Sequence, residues 1–399
     1  MDWIFKKMGP AAALSLVAFT SIVNAADDSQ MRNLENRVNA LEQKKGGNGG
    51  MINPPARPVV KDGVDLFVMG EVLIWKARED DLNFATQLNA VPTDDGATSG
   101  SAVNFKSKWN VGFRVGIGYN MAHDGWDVAL NWARSNSHSK TSNENECGCV
   151  SEVFQPVYYP KDYDANSLTV PPYVTEAQAK YWRTNLNLVD LELGREFFVS
   201  KWMTVRPHVG LRYMSLRQKQ RFEYEGGNFL TNYSATGEVL PGATEDFVFL
   251  KNNFWGIGLR AGLDSTWGLG AGVSIYGKLA LSALWGKFKL AQTHTLRSPA
   301  TTTADSDDDN DNRATASLSN FTDTLHVTRP VADLAIGLRY DTTFSNDSWG
   351  FGIWAGWEQH YMWSQAKFLK FVGDRYTSLE ESNGDFDVGG VNIGMSFDF

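Results

Sequence analysis

The chain has 399 residues, 13% of them aromatic, with 37 glycines, two cysteines and a formal net charge of −9. That balance is too acidic to suggest a nucleic-acid surface and not biased enough for a chain disordered throughout. Mean hydropathy is −0.32 and no run of eighteen apolar residues occurs, so a spanning helix is excluded and only a closed β-barrel could carry this chain across a membrane.

At the start, Lys6 and Lys7 precede a hydrophobic segment from Ala11 to Val23, and Val23-Asn24-Ala25 forms a small-residue cleavage site. Residues 1–25 therefore read as a secretory signal. Over 26–45, Met31, Leu34, Val38 and Leu41 follow a 3-4-3 spacing with polar residues between them, which is two heptads of a short coiled-coil helix. Two heptads are marginal alone. Tethered to a barrel they would make it a trimer or touch periplasmic partners; the other reading is a lone solvated helix. Residues 46–63 form a linker, glycine-rich and flexible first, then stiffened by Pro54-Pro55-Ala56-Arg57-Pro58. The folded domain is expected over 64–399.

Alternation dominates that domain. Trp109, Val111, Phe113, Val115, Ile117, Tyr119 and Met121 are apolar, while Lys108, Asn110, Gly112, Arg114, Gly116, Gly118 and Asn120 between them are not. A strand with this pattern has one apolar and one wet face. Asp124-Gly125 marks a turn, and Trp126, Val128, Leu130 and Trp132 resume the alternation. From Trp109 to Tyr119 the apolar face runs roughly 33 Å along the strand, which at a tilt of about 40° covers the ~25 Å band of an outer-membrane barrel.

Ten such segments occur, at 64–76, 108–121, 126–135, 183–195, 202–216, 253–265, 271–286, 325–340, 349–363 and 388–399. In the fourth, Leu186 and Leu188 are out of phase with Val189, Leu191 and Leu193, which implies a bulge or a misplaced boundary. The connections alternate between long (77–107, 136–182, 217–252, 287–324, 364–387) and short (122–125, 196–201, 266–270, 341–348). That parity predicts an all-β, transmembrane, antiparallel up-and-down barrel of about ten strands, with short turns in the periplasm and long loops outside. Twelve or more strands stay possible if a long connection hides a hairpin.

The last strand ends in Phe397 and Phe399, and a terminal aromatic on an amphipathic strand resembles the membrane-insertion signal that barrel-assembly machinery reads. The opening strand and its exit, Gly70-Glu71-Val72-Leu73-Ile74-Trp75-Lys76-Ala77-Arg78-Glu79-Asp80-Asp81-Leu82-Asn83-Phe84-Ala85, resemble the pore-forming major outer membrane protein family of Legionella and environmental chlamydiae. The likeness extends in layout to the coiled coil, the linker and the terminal Phe. It implies an outer-membrane pore and assigns no ligand-binding residue.

In a barrel the wet faces enclose the lumen, so the expected pore-lining cations are Lys108, Arg114, Arg206, His208, Arg212, Arg260, Lys278 and Arg339. Asp127, Asp264, Asp333 and Glu358 face them, joined by Asp190 and Glu192. Either these charges line a water-filled path or they pair across a narrow interior and plug it. Cys147 and Cys149 in a long loop are too close to bridge without strain; an oxidised form would link neighbouring chains, as the family resemblance implies, and two free thiols are the alternative. Asp305, Asp307, Asp309 and Asp311 match the opening of a calcium loop, but Asn310 and Ala316 stand where it needs Gly and Glu. No metal or other cofactor is expected. Enzyme motifs of the G-x-S-x-G, H-E-x-x-H and P-loop types are absent. The expectation is a non-enzymatic, porin-like channel in the outer membrane for small hydrophilic solutes or ions, surrounded by lipid and oligomeric, with an occluded structural or adhesive barrel as the alternative.

Overall fold

The computed structural model describes residues 64–89, 99–121, 125–144, 153–158, 173–226, 245–297, 315–345, 348–372, 378–381 and 383–399. The expected signal segment, coiled coil and linker lie outside the described residues, as do Cys147, Cys149 and the acidic run 305–311. In chain order the strands are β1 (Leu66–Glu79), β2 (Ala85–Leu88), β3 (Gly100–Val103), β4 (Trp109–Asn120), β5 (Trp126–Glu144), β6 (Val153–Pro156), β7 (Glu176–Arg195) and β8 (Phe197–Ser200). They continue as β9 (Met203–Glu225), β10 (Glu245–Gly270), β11 (Val273–Arg297), β12 (Thr315–Phe344), β13 (Trp349–Ala366), β14 (Leu369–Val372), β15 (Ser378–Glu381) and β16 (Gly384–Asp398).

Ten of these form an antiparallel wall in the order β1-β4-β5-β7-β9-β10-β11-β12-β13-β16, and β16 pairs back onto β1 from Phe67↔Asp398 to Glu79↔Phe386. Closure leaves no edge along that seam, which is what hydrocarbon demands of a spanning sheet. All ten expected segments fall on these ten wall strands. No helix among the described residues is long and apolar enough to cross a membrane.

Polarity on the two faces changes along the strands. Near the short turns the outward side chains are apolar and exposed: Val209, Leu211 and Tyr213 on β9, Trp255, Ile257 and Leu259 on β10, Leu279, Leu281 and Trp285 on β11. Trp109, Trp132, Tyr213, Trp255, Trp285 and Trp357 end this band toward the long loops, and Tyr119, Trp126, Trp267, Tyr340 and Trp349 end it toward the short turns. Such paired aromatic rows are the mark of two membrane interfaces. Beyond the first row the faces exchange character. On β9 the outward positions become Arg217, Lys219 and Arg221, while Met214, Leu216 and Phe222 turn inward and are buried.

This exchange explains where the sequence-based boundaries differ from the observed ones. β5, β7, β9, β10, β11 and β12 run 8 to 11 residues past their expected limits at the long-loop end, apart from β7, which starts 7 residues early. Those extensions lie among residues expected to be loop, because their outward faces are largely polar and the anticipated alternation is lost. The irregularity of β7 has the same origin. Its pairing with β9 is unbroken from Tyr181 to Gly194, the register shift falling instead at Ala179/Tyr181; Leu186 and Leu188 are simply inward-facing and buried.

The short connection expected at 266–270 is strand up to Gly270. The turn consists of Ala271 and Gly272, both at positive φ (52° and 79°), as the handedness of a two-residue hairpin requires. β12 pairs with β13 only from Val331 to Phe344 and, beyond Pro330, with β11 alone; a proline has no N–H to give a second neighbour.

Replacing Leu279 by Arg in the middle of the outward band should destabilise the barrel by about 2–4 kcal/mol in urea titrations in lipid vesicles. Lys289→Arg, beyond the aromatic row, should leave the midpoint unchanged, and equal effects at the two positions would contradict the assignment of the band.

Candidate functional site: a charged lumen beneath an apolar cap

Alternation places Glu71 of β1, Arg114 of β4, Asp127 of β5, Asp190 and Glu192 of β7, Arg206, His208 and Arg212 of β9, Arg260 and Asp264 of β10, Asp333 of β12 and Glu358 and His360 of β13 on the inward face. Long side chains then meet across the barrel. Arg114 pairs with Glu71 next door and with Glu358, three strands away, at 3.0 Å. Glu71 also accepts a hydrogen bond from the Trp354 indole at 3.1 Å.

From β9, Arg212 holds Asp190 through two hydrogen bonds of 2.6 Å and reaches Asp333 on β12 at 2.7 Å. Asp333 in turn binds Arg260 and contacts His360 Nδ1 at 2.6 Å. Nearer the short turns Arg206 gathers three carboxylates, Asp127 at 2.9 Å, Asp264 at 3.0 Å and Glu192 at 3.5 Å. Arg260 meets Glu192 from the other side at 3.0 Å.

His208 lies buried beside Glu192 and Asp264 at 3.7 and 3.9 Å. Lys278 stands opposite Asp264 on the neighbouring strand. Charge-assisted pairs of this kind are strong only because each guanidinium finds its carboxylates in fixed geometry. Between them lies a cavity of about 80 Å³ lined by Glu71, Arg114, Asp190, Arg212, Asp333 and His360 among others, room for roughly five waters.

Most of the residues expected to line the lumen are thus brought together in one network. Arg339 sits apart near the short turns, bound to Asp341 at 2.8 Å. Lys108 does not join: it precedes β4, is exposed, and stands at the long-loop end beyond Trp109. The alternation was extended one residue too far there, since the strand begins at the aromatic row. Glu71 and His360 were missed as site residues, although Glu71 stands between outward Gly70 and Val72 and so shares the wet phase that identified the others. Phe397 packs against Phe351 at 5.0 Å and Phe399 against Trp349 at 5.8 Å, both at the short-turn end.

Toward the long loops the interior is filled differently. Leu73, Trp75, Leu186, Leu188, Met214, Leu216, Phe254, Leu284, Phe288 and Leu290 are all at most 2% exposed. Two pieces of loop close over them. A small sheet in the order β3-β2-β6 inserts Phe84, which stacks on Phe222 at 5.5 Å, while Tyr158 stacks on Phe222 at 5.3 Å and Phe105 meets Trp182 at 6.0 Å. Tyr224 ties this sheet to the wall by donating to the Phe84 carbonyl at 2.6 Å.

The second piece follows β13. Asn252 of β10 donates at 3.0 Å to the backbone carbonyl of Gln365, at the very end of β13, and Phe368 and Leu369 just beyond it are buried in the same core. Polar side chains remain under the cap: Gln220, Gln292, His294 and Asp246 are buried and carry atoms with no hydrogen-bond partner among the described residues. Burial also holds the Glu79 carboxyl, above the band, well above its usual range, against the pull of its Gln218 hydrogen bond.

A family model described as Legionella pneumophila major outer membrane protein precursor matches residues 58–399. The chain belongs to that family. It is therefore an outer-membrane β-barrel protein, and the outward apolar band is its lipid face. No curated protein matches this family member in sequence. Among solved structures, it is similar to the outer membrane protease OmpT from Escherichia coli at 9% identity and a TM-score of 0.37, covering 84% of this chain and 96% of that one. A Pseudomonas aeruginosa FadL homologue follows at 10% identity and 0.29, covering 84% and 89%. The P. putida toluene transporter TodX gives 10% and 0.27, covering 87% and 92%.

Asp333 joins two guanidiniums and an imidazole, so Asp333→Ala should cost about 3–5 kcal/mol, because it leaves Arg212 and Arg260 buried without their shared carboxylate. Adding Arg260→Met should recover part of that loss. Urea midpoints of the refolded barrel measure both, and a stability unchanged in Asp333→Ala would mean that water already screens these charges.

Proposed function

We propose that this barrel is a gated channel for small hydrophilic solutes or ions, with the paired-charge lumen as its path and the loop-borne cap as its gate, here closed. One observation carries this reading: the same barrel is filled in two ways. Above the band the wall buries mainly apolar side chains, with only a few polar ones such as Asp246, His294 and Glu79 among them, so the sequence is able to pack a lumen largely without charges. Within the band it retains more than ten ionisable groups around a cavity, although apolar packing of equal volume would be as stable or more so. Such a lining is what a solvated path needs.

The cap consists of loop segments, not wall, and the polar groups beneath it gain partners once water enters. In this reading long loops face outward and the N-terminal segment the periplasm, a sense that the short-turn parity supports, the barrel-assembly machinery inserts the chain, and chains associate as oligomers in the lipid. No catalytic role is proposed. A structural or adhesive barrel is the second reading, favoured by the pairing of nearly every lumen charge.

In a planar bilayer the refolded protein should open rarely and briefly. Deleting the sheet-bearing segment 82–104 should raise the open fraction at least tenfold. Silent membranes from both proteins, with insertion verified, would favour the occluded barrel. In the deleted form, neutralising Arg206, Arg212 and Arg260 together should shift permeability toward cations, because unpaired carboxylates would then line the path.

A further inference from the structure

Immediately above the aromatic row, the outward face of four adjacent strands carries only cations and neutral residues. Arg183 on β7, Lys219 on β9 and Lys251 on β10 stand directly opposite one another in register. One step nearer the membrane, Arg217 on β9 and Lys289 on β11 flank Asn253, and Lys287 lies over the Trp255 ring at 5.5 Å. Arg183, Arg217, Lys219, Lys251 and Lys289 are exposed, and none of the six is within ion-pair distance of a carboxylate among the described residues.

Directly opposed side chains on neighbouring strands sit about 5 Å apart at Cβ, where like charges repel. Two consecutive like-charge pairs in one row are a local cost in a protein whose net charge is −9. Acids return only higher up, where Glu223 pairs with Lys180 at 2.9 Å and Arg221 at 2.7 Å. The far wall differs: there, near the same level, Asp387 stands opposite Arg78 and accepts from Gln359 at 2.6 Å. The basic patch is therefore one-sided, centred on these four strands, ~15 Å across, and continued on β5 by His138, opposite Arg183, and exposed Lys140.

We propose that this patch binds the phosphorylated headgroup of a multi-acyl glycolipid in the outer leaflet. An anion over the Arg183-Lys219-Lys251 row removes the repulsion. The exposed side chains of Tyr213, Trp255, Ile257 and Trp285 directly beneath it offer the acyl chains of the same molecule an apolar surface. A soluble anion would use only the upper half of this surface. Each juxtamembrane cation adds to attraction for anionic lipid, and the planar forks of Arg183 and Arg217 suit phosphate oxygens.

The test uses the full mature chain refolded in neutral detergent, titrated with fluorescently labelled bis-phosphorylated lipid A. The triple variant R183Q/K219Q/K251Q should bind at least tenfold more weakly, and lipid A stripped of both phosphates should lose as much against the unaltered protein. Lys76→Gln, on the outward face of β1, should bind as the parent does. Lys219→Glu places a carboxylate between two cations, so it should abolish binding while the lipid-free barrel unfolds at an equal or higher temperature. This variant keeps the test informative should the triple variant refold poorly. Equal binding of the dephosphorylated lipid, unchanged affinity in either variant, or displacement of the lipid by millimolar inorganic phosphate would overturn the proposal.

Discussion

A single chain of strands here meets two solvents, and the level at which hydrocarbon gives way to water governs everything else. Below the row formed by Trp132, Tyr213, Trp255 and Trp285, outward side chains must be apolar and the inward ones are free to be charged. Above it water wets the outside, so the outward face turns to Arg, Lys and Asn, and the apolar residues move inside. Neither half would be stable in the other's surroundings. The barrel keeps one continuous hydrogen-bond ladder across the change, since pleating lets composition switch faces without altering backbone geometry.

That exchange divides the interior into two compartments with different physics. In the lower one, guanidiniums and carboxylates from eight wall strands neutralise each other around a small cavity, an arrangement that specifies a geometry more than it adds stability. In the upper one, aromatic stacking between wall and loop dominates a mainly hydrophobic core that still holds a few polar groups such as Gln220 and His294. The functional proposal rests on that contrast, for a barrel needing only to be plugged could have used the second solution throughout.

Much of this was legible in the sequence where one face meets lipid. The alternation from Trp109 to Tyr119, the Asp-Gly turn and the parity of connection lengths gave ten strands in the right places, and the same phase put Arg114, Arg206, Arg212, Arg260, Asp333 and Glu358 inside. Strand extensions such as 217–225 and 245–252 were hidden, because there the pattern of apolar outside and polar inside breaks down: Arg217, Lys219 and Lys251 face outward, Phe222, Tyr224, Val248 and Leu250 inward, with Gln218, Gln220 and Asp246 mixed among them. Lys108 was misplaced by one residue of overrun. The cross-lumen partners were also beyond reach: that Arg114 finds Glu358 three strands away follows from barrel curvature and closure, which no local pattern encodes. Folding of the loops back over the mouth depends likewise on contacts such as Phe84 with Phe222, 138 residues apart in sequence.

The account stands or falls on the exchange of faces along β9, which spin labels can read residue by residue. With Cys147 and Cys149 replaced by serine, labels at positions 211, 216 and 217 of the protein in lipid vesicles would be relaxed by dissolved oxygen and by a water-soluble nickel complex. Position 211 should respond to oxygen and not nickel, position 217 to nickel, and position 216 to neither. Nickel access at 211, or oxygen access at 217 matching that at 211, would contradict the placement of the membrane boundary between them.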